Sequence, residues 1–195
     1  MSKVIYDNPL ACENDIKDFV LEGEAEISFD GGALSLQAKR EAGSNRLIFW
    51  CPKSFPSDVK IEWEFRPVKE QGTAQLFFAA KEKDDKRDFF ELSFYKRAED
   101  TDRSFHLCDL KKSFDESAVA QAADPLPEAK EDLPWYSMCI VKNRNKVVYA
   151  VNDFVVLEFE DDGMTHGDIL TGGCVGFGQR EGLLAQYRNF RVTWV

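Results

Sequence analysis

The sequence predicts an all-β fold, a sandwich or jelly roll of antiparallel sheets, on three observations. Apolar and charged residues alternate along most of the chain, as in the run "DVKIEWEF" that begins at Asp58, and a period of two is the pattern of a half-buried strand. Roughly a dozen such runs are separated by turn residues, which is typical of sandwiches and barrels. The runs do not alternate with long helical patterns, which argues against a parallel α/β sheet.

Two pairs of strands are joined by turns of two residues. The run "AEISFD" leads through Gly31 and Gly32 into "ALSLQA", and "KVVYAV" leads through Asn152 and Asp153 into "FVVLEF". Glycine, asparagine and aspartate tolerate the positive φ of a type I′ turn, which joins antiparallel neighbours tightly. Both segments therefore predict β-hairpins, and "GCVGFGQ" and "QYRNFRVTW" predict two further strands.

Four segments interrupt this pattern. Residues 14–20 and 115–123 are short helical candidates. Residues 81–89, "KEKDDKRDF", are a charge run, which predicts a solvated loop. Residues 122–134 carry three prolines and several acids, which predicts an ordered connection or a mobile flap over one sheet.

The composition limits the class of protein. With 195 residues, of which 44% are hydrophobic and 16 are Phe, the chain is long enough to bury a substantial core, and we expect residues 1–195 to form one jelly-roll domain. The formal net charge of −10 argues against a nucleic-acid partner, since the neutralisation of phosphates requires a dominant basic surface. A local basic patch remains compatible with this charge.

The chain shows neither a secretory signal nor a membrane span, so we expect no membrane partner. Its first residues lack an apolar run followed by a small-residue cleavage site, and no apolar stretch reaches the length of about 18 residues that a spanning helix needs. The five cysteines are scattered and form no Cys-x-x-Cys pair, which fits a reducing compartment and predicts no metal cluster. We therefore expect a cytoplasmic protein without a cofactor.

Several motifs occur in an order that resembles one protein family. They are "IFWCPKSFP", "LFFAA", "LSFYKR", "CDLKKS", "AADPLP", "FEDDG", "VGFGQ" and "YRNFRV". Together they resemble the YesU-like family of bacterial proteins, over almost the whole length from about Asn8 to Val192. The resemblance implies a concanavalin A-like jelly-roll sandwich of two curved antiparallel sheets. It also implies a carbohydrate ligand, because genes of this family accompany genes for polysaccharide utilisation.

This chain matches parts of the family pattern and departs from others. The positions that the resemblance matches are Ser93, Cys108, Leu110, Lys112 and Ser113. Asp109 stands where the family usually has Asn, and Lys111 stands where it usually has Arg. Gly178 replaces a usual Arg, and Arg180 two residues later can restore the charge. These changes keep the polarity of the pattern but alter the expected contacts with a substrate.

The strongest site candidate is formed by two consecutive strands, "FELSFYKR" and "SFHLCDLKKS". We expect them to pair antiparallel, with one face along a groove. With a period of two, the first strand places four polar side chains on a single face: Glu91, Ser93, Tyr95 and Arg97. On the second strand we expect Asp109 and Lys111 to face the groove, with His106 at its rim or partly buried.

This group is suited to bind or cleave an acidic sugar. β-Elimination needs a cation that neutralises the uronate carboxylate, for which Lys111 or Arg97 is available, and a base for the C5 proton, for which Tyr95 or His106 is available. The polar residues that would contact the substrate are Glu91, Ser93, Arg97 and Asp109. An ordinary cross-strand pairing of these charges is an equally open interpretation.

Glu62 and Glu64 are a second candidate, because carboxylates two residues apart point to one side of a strand. Glycoside hydrolysis uses two carboxyl groups about 5–5.5 Å apart for retention, or about 6.5–9.5 Å apart for inversion. The pattern resembles the Glu-x-Asp-x-Glu strand of laminarinase-type jelly rolls, but Lys60 occupies the first acidic position. A solvated strand with alternating Lys and Glu is the favoured interpretation, and Glu64 stays a candidate for substrate binding.

Two further sets of residues complete the candidates. Gln179 and Arg188 lie on strands that a hairpin would make adjacent, where an amide and a guanidinium could clamp a hydroxyl or a carboxylate. The acids of residues 160–163, with Asp153 and His166, do not match the spacing of a calcium loop, and ordinary turn chemistry is favoured there.

The sequence therefore favours a carbohydrate-active protein with an oligosaccharide ligand and leaves catalysis open. Such a protein could be a polysaccharide lyase or a glycoside hydrolase, or it could bind sugars without cleaving them, as a lectin does. Four aromatic residues are candidates for stacking against sugar rings: Trp50, Tyr95, Trp135 and Tyr136. A third interpretation is a structural domain that forms a homodimer through exposed sheet edges.

Overall fold

The computed structural model describes residues 3–39, 46–69, 72–83, 86–97, 106–113, 117–130, 132–180 and 182–195, with the backbone alone at Lys83 and Arg97. Within these residues the chain forms fifteen strands and one short helix. In chain order they are β1 (Val4–Asn8), α1 (Glu13–Ile16), β2 (Val20–Gly23), β3 (Ala25–Asp30), β4 (Ala33–Ala38), β5 (Arg46–Phe55), β6 (Val59–Lys69), β7 (Thr73–Lys83), β8 (Lys86–Arg97), β9 (His106–Lys112), β10 (Ala118–Asp124), β11 (Tyr136–Asn143), β12 (Lys146–Val151), β13 (Phe154–Glu160), β14 (Gly173–Arg180) and β15 (Leu184–Trp194).

The strands form two antiparallel sheets that enclose the core between them. The first sheet has the strand order β13-β12-β11-β6-β15-β4-β3, with β1 also paired to β15. The second sheet has the order β10-β9-β8-β7-β14-β5-β2. The predicted sandwich of two antiparallel sheets is confirmed.

Aromatic and aliphatic side chains from both sheets fill the space between them. On β6, Ile61, Trp63 and Phe65 are almost fully buried, and the residues between them lie on the outer face. The ring centroid of Trp63 lies 6.0 Å from that of Phe94 in the second sheet, and the centroid of Phe65 lies 5.4 Å from that of Tyr187. The alternation in the sequence therefore corresponds to one apolar face per strand.

Both two-residue turns adopt the left-handed backbone that the sequence predicts. Gly31 and Gly32 have φ angles of 57° and 73°, and Asn152 and Asp153 have φ angles of 48° and 64°. The turns connect β3 to β4 and β12 to β13, which are antiparallel neighbours. The two predicted hairpins are confirmed.

The charge run at residues 81–89 forms paired strands, so the prediction of a solvated loop is wrong. β7 and β8 pair across it, with Lys81 opposite Asp88. Opposite charges that face each other across a ladder stabilise the pairing, which explains why so polar a segment forms a hairpin. Residues 84–85 lie outside the described part of the chain.

The two helical predictions have different outcomes. The helix α1 covers only part of the predicted segment 14–20. The second candidate, 115–123, is wrong, because its described part belongs to β10, which pairs with β9. Its alanines favour a helix locally, but pairing with a neighbouring strand overrides this propensity. No helix in the described part of the chain has the length and apolarity that a membrane span requires.

The described segment after β10, residues 125–130 and 132–134, is a connection that we call the strap. Two of its leucines, Leu126 and Leu133, are buried. Asp124, the last residue of β10, accepts a hydrogen bond from the backbone N–H of Leu126 at 2.9 Å. The described part of the strap is therefore attached to the sandwich by apolar contacts and by a hydrogen bond at its start.

One ion pair is completely enclosed. The side chains of Lys112 and Asp161 are each 1% exposed, and the Nζ of Lys112 lies 2.7 Å from the carboxylate. The ammonium group also donates to the backbone oxygen of Gly167 at 3.0 Å, and Asp161 accepts from the N–H of Gly163 at 3.0 Å. This pair fastens the end of β9 in the second sheet to the segment that follows β13 in the first.

We expect Lys112→Met to lower the free energy of unfolding by about 3–5 kcal/mol, because it leaves the carboxylate of Asp161 buried without a cation. Urea unfolding followed by tryptophan fluorescence measures the change. The double variant Lys112→Met/Asp161→Leu should recover most of the loss, since an apolar pair of similar volume carries no uncompensated charge.

The matched control for this prediction is an exposed ion pair. The Nζ of Lys146 lies 3.0 Å from the carboxylate of Glu158, with both side chains about half exposed. Lys146→Ala should cost less than about 1 kcal/mol, because surface ion pairs contribute little. Equal losses at the buried and the exposed pair would contradict the role of the buried one.

Candidate functional site

Two rows of side chains cross the outer face of the second sheet, perpendicular to its strands. Register pairs place the first row on successive strands from β5 to β9: Trp50, Gly176, Phe77, Glu91 and Lys111. The second row, two residues away on each strand, is Ile48, Gly178, Gln75, Ser93 and Asp109. Residues two apart on a strand point to the same face, so both rows lie on one surface, which we call the groove.

The aromatic part of the groove lies on a strand of glycines. A Cβ atom at Gly176 would lie 2.6 Å from the ring of Trp50, and one at Gly178 would lie 2.8 Å from the ring of Phe77. Both distances are shorter than van der Waals contact, so only glycine lets the two rings lie against β14. The ring centroids of Trp50 and Phe77 are 5.7 Å apart, and that of Phe89 is 5.3 Å from Phe77. These rings form a small apolar cluster outside the main core.

Two guanidinium groups lie over these rings. The Cζ of Arg87 is 4.7 Å from the ring centroid of Trp50, and the Cζ of Arg46 is 5.0 Å from that of Phe77. A cation is attracted to the face of an aromatic ring, and Arg87 is also held by Glu22, at 2.8 Å from its carboxylate. Trp50 is 7% exposed, so its ring is covered by the protein rather than open to solvent.

Glu91 lies at the centre of the groove and is 6% exposed. The Nε2 of Gln75 and the Oγ of Ser93 both donate to Oε1 of Glu91, the latter at 3.0 Å. The Nη2 atoms of Arg46 and Arg180 lie 3.9 Å and 3.8 Å from its carboxylate oxygens. These donors and cations fix the position of the carboxylate at the centre of the groove.

Four buried polar atoms of the groove have no hydrogen-bond partner among the described residues. They are Nε1 of Trp50, Oε1 of Gln75, Oδ1 of Asp109 and Nε of Arg180. Two are donors and two are acceptors. Buried polar groups are nearly always paired in folded proteins, because an unpaired group loses the free energy of its hydration. The groove therefore offers positions where water, an ion or a ligand can complete the hydrogen bonding.

Basic side chains outnumber acidic ones in one part of the groove. A depression of about 530 Å³ is lined by Arg46, Lys86, Arg87, Asp88, Phe89, Glu91, Lys111, Lys112, Ser113 and Arg180. Lys112 is neutralised by Asp161, and five basic residues still face two acidic ones. We call this part the cationic depression. A second depression of about 340 Å³ continues from it over Trp50 and Phe77.

The structure brings four of the predicted site residues together in the groove. Glu91 is the register partner of Lys111, and Ser93 is the register partner of Asp109. Lys111 lines the cationic depression beside Glu91, and no ion pair joins it to another described residue. A contact between these residues and a ligand stays a prediction.

Tyr95 points away from the groove, so the prediction that it shares a face with Glu91 is wrong. A β-bulge after Ser93 inverts the alternation of β8, and Tyr95, with a φ of 54°, lies fully buried in the core. Its hydroxyl accepts a hydrogen bond from the N–H of Ala129, and its burial raises its pKa to about 12. A tyrosine in this environment is a poor base for a sugar proton.

His106 is buried beside Tyr95 rather than exposed at the groove rim. The two ring centroids are 4.2 Å apart, and Nδ1 of His106 donates to the backbone oxygen of Leu126 at 2.9 Å. Of the two positions expected for His106, the structure has the buried, hydrogen-bonded one. The imidazole therefore fastens the strap and does not line the groove.

Lys96 faces the groove, where the sequence pattern predicts its neighbours Tyr95 and Arg97 instead. Its Nζ lies 3.1 Å from the carboxylate of Asp109, and its side chain is 39% exposed. The period of two does not indicate the bulge, so Lys96 could not be predicted from the sequence as a groove residue. Arg97 is the register partner of His106 at the end of β8, and the prediction for its side chain lies outside the described residues.

Gln179 and Arg188 lie on different sheets, so the prediction that they form one clamp is wrong. β14 belongs to the second sheet and β15 to the first, because the connection between them crosses the sandwich instead of turning within one sheet. Gln179 points into the core, where its Nε2 donates to the hydroxyl of Tyr187 at 3.0 Å. Arg188 lies on the outer face of the first sheet, 4.1 Å from the ring centroid of Trp135.

Glu62 and Glu64 also lie on the outer face of the first sheet, opposite to the groove. The Nζ of Lys60 is 2.7 Å from Oε1 of Glu62, and Arg188 is paired with Glu64. Both carboxylates therefore belong to an ion-paired strand, as the favoured interpretation of this alternation expects. This position separates Glu64 from the candidate contacts of the groove and brings it together with Arg188.

The acidic turn at residues 160–163 stabilises the local structure. Asp161 pairs with Lys112. Asp162 accepts hydrogen bonds from the hydroxyl of Thr165 at 2.6 Å and from the N–H groups of Thr165 and Met164 at 2.8 Å, and these bonds lower its pKa to about 2. Within the described ranges, no three His, Cys, Asp or Glu side chains are placed to hold a metal ion.

Solved structures that share this fold include one relative at 32% identity and others at much lower identity. A Bacillus subtilis protein of unknown function with a galectin-like fold has a TM-score of 0.89 and 32% identity, over 100% of this chain and 98% of that one. The carbohydrate-binding module CBM66 from Bacillus subtilis has a TM-score of 0.62 and 13% identity, and the match covers 90% of this chain and 94% of that one. The laminarinase from Rhodothermus marinus has a TM-score of 0.70 and 11% identity, and the match covers 100% of this chain and 98% of that one.

Sequence comparison gives the family. "Uncharacterized protein YesU" from Bacillus subtilis is 33% identical over 210 residues, which cover 96% of this chain and 94% of that protein. The family model described as "Domain of unknown function (DUF1961)" matches residues 3–92 and 84–192. With nearly its whole length matched, the chain belongs to the DUF1961 family.

Proposed function

We propose that this chain binds an oligosaccharide that contains acidic sugars, and that the groove is its binding surface. The observation that carries the proposal is the set of buried, unpaired donors and acceptors beside a surplus of basic side chains. The fold supports it, because solved structures with this fold include proteins named as a carbohydrate-binding module and a laminarinase.

The unpaired atoms suit a ligand that is rich in hydroxyl groups. A hydroxyl both donates and accepts hydrogen bonds. Nε1 of Trp50 and Nε of Arg180 are donors, and Oε1 of Gln75 and Oδ1 of Asp109 are acceptors, that have no partner among the described residues, and we expect sugar hydroxyls to pair with them. A polar site of this kind rejects ligands that leave its buried groups unpaired.

The cations around Glu91 suit a carboxylate on the sugar. Arg46 and Arg180 are both close to Glu91, which neutralises part of their charge. Lys111, the neighbour of Glu91 across the ladder, forms no ion pair with any described residue. A guanidinium binds a planar carboxylate with two parallel hydrogen bonds, and an ammonium group binds it as a point charge, so Arg180 and Lys111 are the groups that we expect a uronate to contact.

The groove supports binding better than cleavage. β-Elimination needs a base next to the sugar, and both Tyr95 and His106 are buried behind the strands. Hydrolysis needs a protonated carboxyl group as acid. The carboxylates of the groove include Glu91, which accepts from two side chains, Asp109, which is paired with Lys96, and Asp88, which accepts from the hydroxyl of Ser113. Each of them is engaged in contacts within the protein.

We expect Lys111→Ala and Arg180→Ala each to weaken the binding of a uronate oligosaccharide about tenfold or more, since a hydrogen bond to a charged group contributes about 1.5–3 kcal/mol. Isothermal titration calorimetry measures the change. The control is Lys60→Ala on the first sheet, which should bind as the unaltered protein does. Unchanged affinity in both groove variants would contradict the proposed surface.

The charge of the ligand gives a second test. A uronate oligosaccharide and its carboxyl-reduced, neutral counterpart share the ring hydroxyls and differ at C6, where a hydroxymethyl group replaces the carboxylate, so the acidic ligand alone should lose affinity when salt is raised from about 0.15 M to about 1 M. Calorimetric titrations at both salt concentrations measure this. Equal affinity for the two ligands, with no salt dependence, would show that the cations do not recognise the sugar.

Product analysis separates binding from catalysis. We expect the uronate oligosaccharide to remain intact after long incubation with the protein, because Tyr95 and His106, the two predicted bases, are buried away from the groove. New ultraviolet absorbance reports an unsaturated product of elimination, and new reducing ends without it report hydrolysis. Either signal, lost in Glu91→Gln, would replace the binding role by an enzymatic one.

A further inference from the structure

We propose that Lys96 is an additional ligand-binding residue of the groove, and that Asp124 is the positioning residue that holds it there. This inference rests on the proposed function, because it concerns contacts within the same groove.

The bulge changes which residues of β8 face the groove. Ser93 pairs with Asp109 and Lys96 pairs with Leu107, so that two residues of β8 oppose a single residue of β9. The two are Phe94 and Tyr95, which are both fully buried. An extra residue on one strand shifts the alternation by one place. Without it, the period of two would place Tyr95 in the groove and Lys96 in the core.

The bulge requires a backbone conformation that a tyrosine rarely adopts. The φ of Tyr95 is 54°, in the left-handed region that disfavours bulky side chains. Such a conformation persists where surrounding contacts impose it. The contact that does so here is with Asp124, whose Oδ2 accepts the backbone N–H of Tyr95 at 2.7 Å.

Asp124 is itself held in place by the strap. Its Oδ1 accepts the N–H of Leu126 at 2.9 Å, and the carbonyl of Leu126 accepts from Nδ1 of His106 at 2.9 Å. The hydroxyl of Tyr95 accepts from Ala129 of the strap. The carboxylate, the imidazole and the phenol thus form one connected set of contacts behind the groove. This set gives the buried Tyr95 and His106 a structural role.

The consequence on the other side of the strand is a cation at the end of the groove. The side chain of Lys96 is 39% exposed, whereas that of Asp109, its partner at 3.1 Å, is 4% exposed. The other oxygen of Asp109 has no partner within the described part of the chain. Lys96 and Asp109 together therefore present a donor and an acceptor to the next unit of a ligand that is bound at Lys111.

The first experiment tests the positioning without any ligand. Hydrogen exchange of backbone amides, followed by NMR, should show that Asp124→Asn exposes the amide of Tyr95, with an exchange rate at least tenfold faster. The amide of Leu92, in the regular part of the same strand, should keep its rate. Unchanged protection of Tyr95 in Asp124→Asn would overturn the positioning role of Asp124.

The second experiment is a double-mutant cycle on the affinity for a uronate oligosaccharide, measured by calorimetry. Lys96→Gln and Asp124→Asn should each weaken binding about tenfold, and the double variant should be no weaker than either, because both remove the same contact. The affinity losses of Arg180→Ala and Asp124→Asn should instead multiply when the two substitutions are combined.

The outcomes separate this inference from the proposed function. Multiplied losses for Lys96→Gln and Asp124→Asn, or an unchanged affinity in Lys96→Gln, would overturn the inference while binding in the groove stands. If the unaltered protein binds no uronate oligosaccharide, the proposed function and the ligand role of Lys96 both fail, and the hydrogen-exchange result still decides whether Asp124 holds the bulge.

Discussion

The burial of one apolar face from every strand between the two sheets is the constraint on which the other features depend. Because side chains alternate along a strand, each residue placed in the core fixes the direction of its neighbours. Leu92 and Phe94 lie in the core, and the core positions of β8 thereby direct Glu91 and Ser93 to the outside. The groove is therefore the outer face of the same strands whose inner face forms the core. The bulge at Tyr95 is the place where β8 departs from this alternation, and the departure moves a lysine to the outer face.

The groove is a second packed layer rather than an ordinary solvated face. The rings of Trp50 and Phe77 lie against the glycines of β14, and guanidinium groups cover them. A bare cluster of this kind would be an exposed apolar patch, which soluble proteins keep small. Covered by arginines, it combines an apolar floor with a polar, cationic surface. Sugars have the same division, since their rings have C–H faces and hydroxyl edges, and this similarity supports the proposed ligand.

Features that depend on neighbours in the sequence could be predicted, and features that depend on distant residues could not. Strand faces and both tight turns follow from local patterns, and so does the arrangement of Glu91 and Ser93 on one side of β8. The bulge depends on Asp124, which lies 29 residues from Tyr95 along the chain. The position of Gln179 depends on which sheet receives each of the last two strands. Neither fact can be read from neighbouring residues in the sequence, so local patterns predict the wrong face for Tyr95 and Gln179.

The charge distribution limits the length of the ligand that the groove can hold. The chain has a formal net charge of −10, yet the cationic depression carries a surplus of basic residues. At physiological ionic strength, charges act over a Debye length of about 8 Å, so an anion inside the groove interacts mainly with these basic residues. Outside the cationic depression the rest of the chain carries a net negative charge, so we expect an anion that extends beyond the groove to gain no further attraction. A long polyanion therefore gains less from each added charge than a short acidic oligosaccharide does, and we infer that the groove selects fragments rather than intact acidic polymers.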